Sequence, residues 1–196
     1  MLASIHPLGE RARHSRWGIT VSTYLAGSVA GGALAGGVLG LVGELVWSVL
    51  RPGPRLIAVL VLLMGATGVA LDLGWAKLPT IRRQVNEDWL ARYRGWVYGA
   101  GFGFQLGLGV VTIVSSAAVY VTFALALLAG AVPAGLAIGG TFGLVRGASV
   151  LAAARVREPG QLRALHRRMQ QLAPLVRGGA VVALALLAAV GPAALA

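Results

Sequence analysis

Long apolar stretches separated by short polar segments dominate the chain. A helix rises about 1.5 Å per residue, so crossing about 30 Å of hydrocarbon takes roughly 20 apolar residues. Stretches long enough to do so occupy residues 19–50, 56–75, 96–154 and 178–196. The third stretch is about three times the minimum length. It must therefore turn back once, and Gly130 and Pro133 mark the predicted turn.

This pattern predicts an all-α, polytopic transmembrane helical bundle with about five spans. The predicted spans cover residues 19–50, 56–75, 96–129, 132–154 and 178–196. They form one transmembrane domain, residues 19–196, after a basic N-terminal segment, residues 1–18. We interpret that segment and the first span as a retained signal anchor, because no small-x-small cleavage site leads into a soluble domain.

Composition narrows the function classes. Hydrophobic residues make up 57% of the 196 positions and charged residues only 12%, about half the charged fraction of a soluble domain. An ordinary soluble enzyme is therefore excluded. The chain has no cysteine, which excludes disulfides, thiol redox chemistry and cysteine-bound metals. It also contains no P-loop, nucleophile elbow or HExxH motif, so we expect no catalytic residue, cofactor or metal.

Basic residues give the predicted orientation. Seventeen Lys and Arg against six Asp and Glu give a net charge of +11, which in a soluble chain would suggest nucleic acid. In a membrane protein, basic residues instead gather in cytoplasmic loops, and we expect no nucleic-acid partner. Five spans leave only Arg51 and Arg55 on the opposite side, with Arg146 inside a span. This predicts a bacterial cytoplasmic (inner) membrane protein with a cytoplasmic N-terminus and an external C-terminus.

Two basic linkers, residues 77–95 and 155–177, join the spans on the predicted cytoplasmic side. In the second linker, Leu162, Leu165, Met169 and Leu172 recur at spacings of three, four and three, which indicates an amphipathic helix. Either linker could lie at the headgroups and attract anionic lipid. The alternative is a solvated connecting helix without a partner.

Glycines form three ridges at a spacing of four residues. They are Gly32, Gly36 and Gly40; Gly95, Gly99, Gly103 and Gly107; and Gly135, Gly139, Gly143 and Gly147. Residues four apart share one helix face, and a face without side chains lets membrane helices approach closely. The ridges predict either static close packing or helices that slide during alternating access.

The third predicted span has 34 residues, or about 50 Å as a straight helix. It must tilt, protrude or break. A break is easiest between Gly107 and Ser116, because the hydroxyls of Thr112, Ser115 and Ser116 can satisfy freed backbone groups. Gln105 is the only amide in an apolar span. It either contacts a substrate or hydrogen-bonds to a neighbouring helix.

Charged residues within the spans are the strongest site candidates, because a charge in hydrocarbon is costly. Asp72 and Arg146 both lie near the predicted cytoplasmic ends of their spans, and we predict that they pair. The pair serves either structure or transport. Glu44 lies near the external end of the first span, where it acts as a gate, a proton acceptor or an interfacial residue whose side chain reaches the headgroups.

The second half of the chain resembles the transmembrane region of the CcdA and DsbD type, the cytochrome c biogenesis and thiol-disulfide interchange family. The resemblance lies in the order of three segments, RGWVYGAGFGFQLGLGVV, GLAIGGTFGLVRG and QLRALHRRMQQLAPLVR, followed by an apolar helix. It implies a bundle with alternating access. Residues 109–116 stand where that family has a Pro-Cys pair, and one of its six spans is missing, so the resemblance implies a cargo other than electrons.

The sequence thus favours a transporter of a small solute or ion rather than an enzyme. The predicted substrate or ion pathway contains Glu44, Asp72, Gln105, Thr112, Ser115, Ser116 and Arg146. The alternative is a structural or assembly subunit of a larger membrane complex, whose glycine faces and basic linkers dock onto a partner. A third possibility is a membrane enzyme that acts on lipid, for which the chain has no recognisable catalytic set. Besides the bilayer, the expected partners are a second copy of the chain or another membrane protein.

Overall fold

Every regular element in the described part of the chain is helical. The computed structural model describes residues 5–76, 78, 92–109, 114 and 116–191. Its α-helices are α1 (Pro7–Ala12), α2 (Trp17–Leu50), α3 (Pro54–Asp72), α4 (Gly95–Gly107), α5 (Ala118–Leu128), α6 (Val132–Ala148) and α7 (Pro159–Val190). A short 3₁₀ helix, Ser149–Ala153, continues α6. The all-α prediction is therefore confirmed.

Four of these helices are long and apolar enough to cross a membrane. They are α2, α3, α6 with its 3₁₀ extension, and α7, with 34, 19, 22 and 32 residues. The expected five spans are not confirmed, because residues 96–129 do not form one helix. They contain α4 and α5, and the described residues between these helices include the turns at Leu108 and Ala117.

Prolines define several helix boundaries. Helix α2 ends where Arg51 adopts a left-handed conformation with φ 43°, and Pro52 follows. Helices α3, α6 and α7 each have a proline in their first two positions. Proline lacks the amide that a continuing helix needs, but the first helical turn has no use for that amide. The same residue type therefore stops one helix and starts the next.

Helix α7 runs through the boundary that the sequence suggested between a basic linker and a last span. It continues from Pro159 to Val190 with Pro174 inside it. Gly178 and Gly179 stay helical, because neither lies next to a proline or a reversal of the chain that would force a turn. The other predicted linker, residues 77–95, falls largely on residues 77 and 79–91, which lie outside the described residues.

Helix α2 is the centre of the bundle and packs against α4, α5 and α6. Its contact with α6 is backbone to backbone. A Cβ added to Gly36 would lie 2.9 Å from the Cα of Gly139, and one added to Gly139 would lie 3.0 Å from the Cα of Gly36. Gly32 and Gly135 have equally little room beside the carbonyls of the facing helix. The two helices approach this closely only because these positions lack side chains.

A second face of α2 receives α4 in the same way. A Cβ added to Gly103 would lie 3.0 Å from the Ser28 amide nitrogen, and one added to Gly107 would lie 2.7 Å from the Gly32 amide nitrogen. The Ser28 hydroxyl also donates a 2.7 Å hydrogen bond to the Gly143 carbonyl of α6. Helix α2 is therefore held between α4 and α6 along its length.

Helices α3 and α7 form the outer layer. They pack against each other, and α3 also contacts α5. A Cβ added to Gly65 would lie 2.8 Å from the Ala188 Cβ, and Gly68 faces the buried Leu184. Most of α7 beyond this contact is exposed. The inner layer of α2, α4, α5 and α6 therefore contains most of the close packing.

Substituting Gly36 by alanine tests this packing. Because the new Cβ would meet the backbone of α6, we expect Gly36→Ala to lower the free energy of unfolding by about 1–3 kcal/mol. Gly178→Ala is the matched control, since it has no atom within 4 Å, and we expect about 0.5–1 kcal/mol of stabilisation. Unfolding in detergent, followed by circular dichroism, gives both values. Equal stabilities of the two variants would contradict the packing.

Candidate functional site

Asp72 binds the start of α5. Its side chain is only 2% exposed although it lies at the last residue of α3. The Ser116 hydroxyl donates to Asp72 Oδ2 at 2.6 Å, and the Ala117 amide donates to Oδ1 at 2.7 Å. The first amides of a helix have no partner within the helix, and a negative charge there is favourable. Asp72 therefore caps α5 from another helix.

Arg177 fastens α7 to the same point. Its Nε donates a 2.8 Å hydrogen bond to the backbone carbonyl of Asp72, and its Nη2 donates to the same oxygen. The carboxylate of Asp72 thus binds α5 while its carbonyl binds α7. One residue joins three helices through side chain and backbone.

Arg146 binds the end of α4. Its Nη1 donates to the Gly109 carbonyl at 3.1 Å and to the Leu106 carbonyl at 3.3 Å. The last carbonyls of a helix have no helical partner, and a cation there is favourable. The guanidinium also lies 5.6 Å from the centre of the Phe142 ring. Arg146 therefore holds α4 to α6.

The predicted pair of Asp72 and Arg146 is wrong. Each residue binds backbone groups on its own side of the interruption between α4 and α5. The physical reason is that the Ala117 amide at the start of α5 binds the carboxylate, while the Gly109 carbonyl just after α4 binds the guanidinium. Asp72 thus lies at the start of α5, and Arg146 lies at the end of α4.

The other pathway candidates are dispersed. Ser116 meets Asp72 as described, whereas Glu44 is exposed on α2 and Gln105 is half-buried on α4. Thr112 and Ser115 lie outside the described residues. Among the five pathway candidates that lie within the described residues, the structure brings together Asp72 and Ser116.

A buried cluster around Glu10 was missed by the sequence analysis. Glu10 is fully buried and accepts hydrogen bonds from Arg13 Nη2 at 2.6 Å, the Thr20 hydroxyl at 2.7 Å and the Tyr98 hydroxyl at 2.6 Å. These donors come from the turn after α1, from α2 and from α4. The Glu10 cluster therefore docks the N-terminal segment onto the bundle. Ile5 of the same segment packs in an apolar cluster that includes Phe102.

The electrostatics of this cluster favour the charged form of Arg13. Burial by itself lowers the pKa of Arg13, but the hydrogen bond to Glu10 and the neighbouring Tyr98 raise it, and the net pKa lies above its usual value. One sequence signal was available, because Glu10 is the only acidic residue before Glu44. Its partners Thr20 and Tyr98 carry no such signal.

The charged side chains of both sites hold helices of the described chain together. Asp72 binds the start of α5 and Arg146 binds the end of α4, whereas Glu10 accepts hydrogen bonds from the side chains of Arg13, Thr20 and Tyr98. Over residues 5–76, 92–109 and 116–191, no group of three or more His, Asp or Glu side chains could hold a metal ion. The three charged side chains thus join helices through contacts within the chain.

Replacing Glu10 tests the docking of the N-terminal segment. A hydrogen bond to a charged group contributes about 1.5–3 kcal/mol, so Glu10→Gln should accelerate amide exchange in residues 7–16 by about tenfold or more. Arg11→Gln is the control, because Arg11 is exposed on the same short helix. Hydrogen exchange with mass spectrometry in detergent measures both. Unchanged exchange in Glu10→Gln would show that the cluster does not hold the segment.

Comparison with known proteins finds similarity to the methylamine utilization protein MauF of three organisms. The Methylophilus methylotrophus protein is 34% identical over 135 residues, which are 67% of this chain and 46% of the relative. Those of Methylobacillus flagellatus and Paracoccus versutus are each 32% identical over 149 residues, covering 74% of this chain and 52% and 54% of the relatives. The chain thus spans about half the length of the curated relatives it matches. No protein-family model and no solved structure matches it.

These matches correct two predictions. The resemblance to the CcdA and DsbD type is wrong, because the similar proteins carry the name MauF. The transporter of that type, which the sequence analysis favoured, is wrong for the same reason. The resemblance rested on glycine ridges and basic linkers. These features are common among membrane proteins, because small residues favour helix packing and basic residues set orientation.

Proposed function

We propose that the chain is a membrane-embedded structural or assembly subunit that supports methylamine utilization. The observation that carries this proposal is the similarity to MauF proteins, which extends over 67–74% of the chain. The name of these relatives gives the process, methylamine utilization. The contacts of the described residues support the role of a subunit.

The internal contacts favour a rigid scaffold. Asp72 and Arg146, the two charges at the interruption, bind the ends of α5 and α4. The ridges of α2, α4 and α6 face one another at backbone distance. These contacts would have to break if the helices moved past one another during transport. The contacts therefore favour a subunit whose shape stays constant.

The outer surface offers area for a partner within the membrane. Helix α7 packs mainly on α3, and Leu175, Val176 and Val182 on it are 70%, 70% and 58% exposed. Its first half is basic, with Arg163, Arg167 and Arg168 exposed. This combination suits a partner that has an apolar membrane surface and acidic groups outside it.

The orientation belongs to the same proposal. The basic residues that flank the helices favour the cytoplasmic (inner) membrane of a bacterium, with the N-terminus in the cytoplasm. If α4 and α5 together cross once, the C-terminal end of α7 faces outward. The four long helices support the membrane environment, and the distribution of arginines supports the direction.

A deletion strain tests the function. In a bacterium that carries this chain and grows on methylamine, we expect its removal to abolish growth on methylamine and leave growth on succinate with ammonium unchanged. Uptake of labelled methylamine should persist, while methylamine-consuming activity in cell extracts falls. The tagged chain, solubilised in mild detergent, should retain polypeptides of that activity. Normal growth and activity without the chain, or lost uptake with normal activity, would contradict the proposal.

A further inference from the structure

An open groove lies between α5 and α6 on the outside of the inner layer. Its volume is about 710 Å³. Apolar side chains line most of it, including Ala137 and Phe142, together with the hydroxyls of Thr122 and Thr141 and the guanidinium of Arg146. We infer that this groove binds one anionic phospholipid, with an acyl chain along α6 and the phosphate at Arg146.

The charges of the groove favour this ligand. Arg146 is the only charged residue among the described residues that line it, so a ligand with an apolar tail and one anionic end is complementary to the whole groove. Arginine matches phosphate through a planar set of donors. The hydrogen bonds from Nη1 to the Leu106 and Gly109 carbonyls hold the guanidinium in place, so little ordering is needed when a phosphate binds.

The position along the helix fits a lipid in one leaflet. Ala137 and Arg146 are nine residues apart, or about 13 Å along the helix, close to half of the roughly 30 Å hydrocarbon thickness. Arg146 lies in the last turn of α6, and Arg155 and Arg157 follow it. Most basic residues lie at this end of the bundle, and the positive-inside rule assigns that end to the cytoplasm. Anionic lipids are concentrated in the cytoplasmic leaflet.

This inference does not depend on the proposed function. A transmembrane helix of another protein is the competing occupant, and it differs from a lipid in one measurable way. A lipid held at Arg146 is selected by the charge of its headgroup, whereas a protein helix would exclude lipid from the groove regardless of headgroup.

Native mass spectrometry of the purified full chain tests the groove. The protein is delipidated in detergent and titrated with phosphatidylglycerol or with phosphatidylcholine of the same acyl chains. We expect one phosphatidylglycerol to bind about fivefold more tightly than phosphatidylcholine, the effect of one arginine near an anionic headgroup. Thr141→Trp should abolish this binding by filling the groove. Leu144→Trp, on an exposed position of the same helix outside the groove, should leave it unchanged.

Thr122→Trp fills the groove from α5 and is a second test if Thr141→Trp does not fold, as judged by gel filtration. Loss of phosphatidylglycerol binding in either filled variant, with retention in Leu144→Trp, supports the lipid site. Equal binding of the two headgroups would overturn the role of Arg146. Retention of the lipid in a folded groove-filled variant, or a copurifying protein that crosslinks to the groove and excludes lipid, would overturn the inference altogether.

Discussion

Backbone groups at a helix interruption need partners wherever water is absent, and the architecture of this protein depends on that requirement. Helix α4 ends at Gly107 and α5 begins at Ala118, within a largely apolar stretch of the sequence. The carbonyls at the end of α4 receive a cation from α6, and an amide at the start of α5 receives an anion from α3. Each charge matches the partial charge of the helix end that it meets.

Close backbone packing makes these caps geometrically feasible. Helix α2 brings α4 and α6 to its two faces through glycines, so that Arg146 on α6 reaches the carbonyls of Leu106 and Gly109. Without a hydrophobic driving force between membrane helices, van der Waals contact and polar contacts across helices hold the bundle together. The glycine ridges supply the van der Waals contact, and the caps supply the polar contacts. Contacts of this kind support the proposed role as a subunit of a membrane complex.

The sequence predicts those features that depend on residue type along one element. Glycine spacing reveals which helix faces are smooth, and Asp72 and Arg146 stand out because charges in apolar spans are rare. Their partners could not be predicted in this way. Arg146 binds backbone carbonyls, and the Asp72 carboxylate binds the Ala117 amide besides the Ser116 hydroxyl. Backbone groups are the same in every residue, so the sequence does not mark which of them a helix end leaves available. The Glu10 cluster was missed similarly, since its Tyr98 partner is 88 positions away and α1 is only six residues long.

The claim that Asp72 and Arg146 are separate caps, rather than partners, is tested most directly by a double-mutant cycle. Unfolding free energies are measured in detergent for Asp72→Asn, Arg146→Gln and the double variant. Each single substitution should destabilise the protein by about 1–3 kcal/mol. Because the two side chains bind different backbone groups, the account predicts that the effects add to within about 0.5 kcal/mol. A double variant no less stable than either single variant would show that the two charges depend on each other, and would contradict the account.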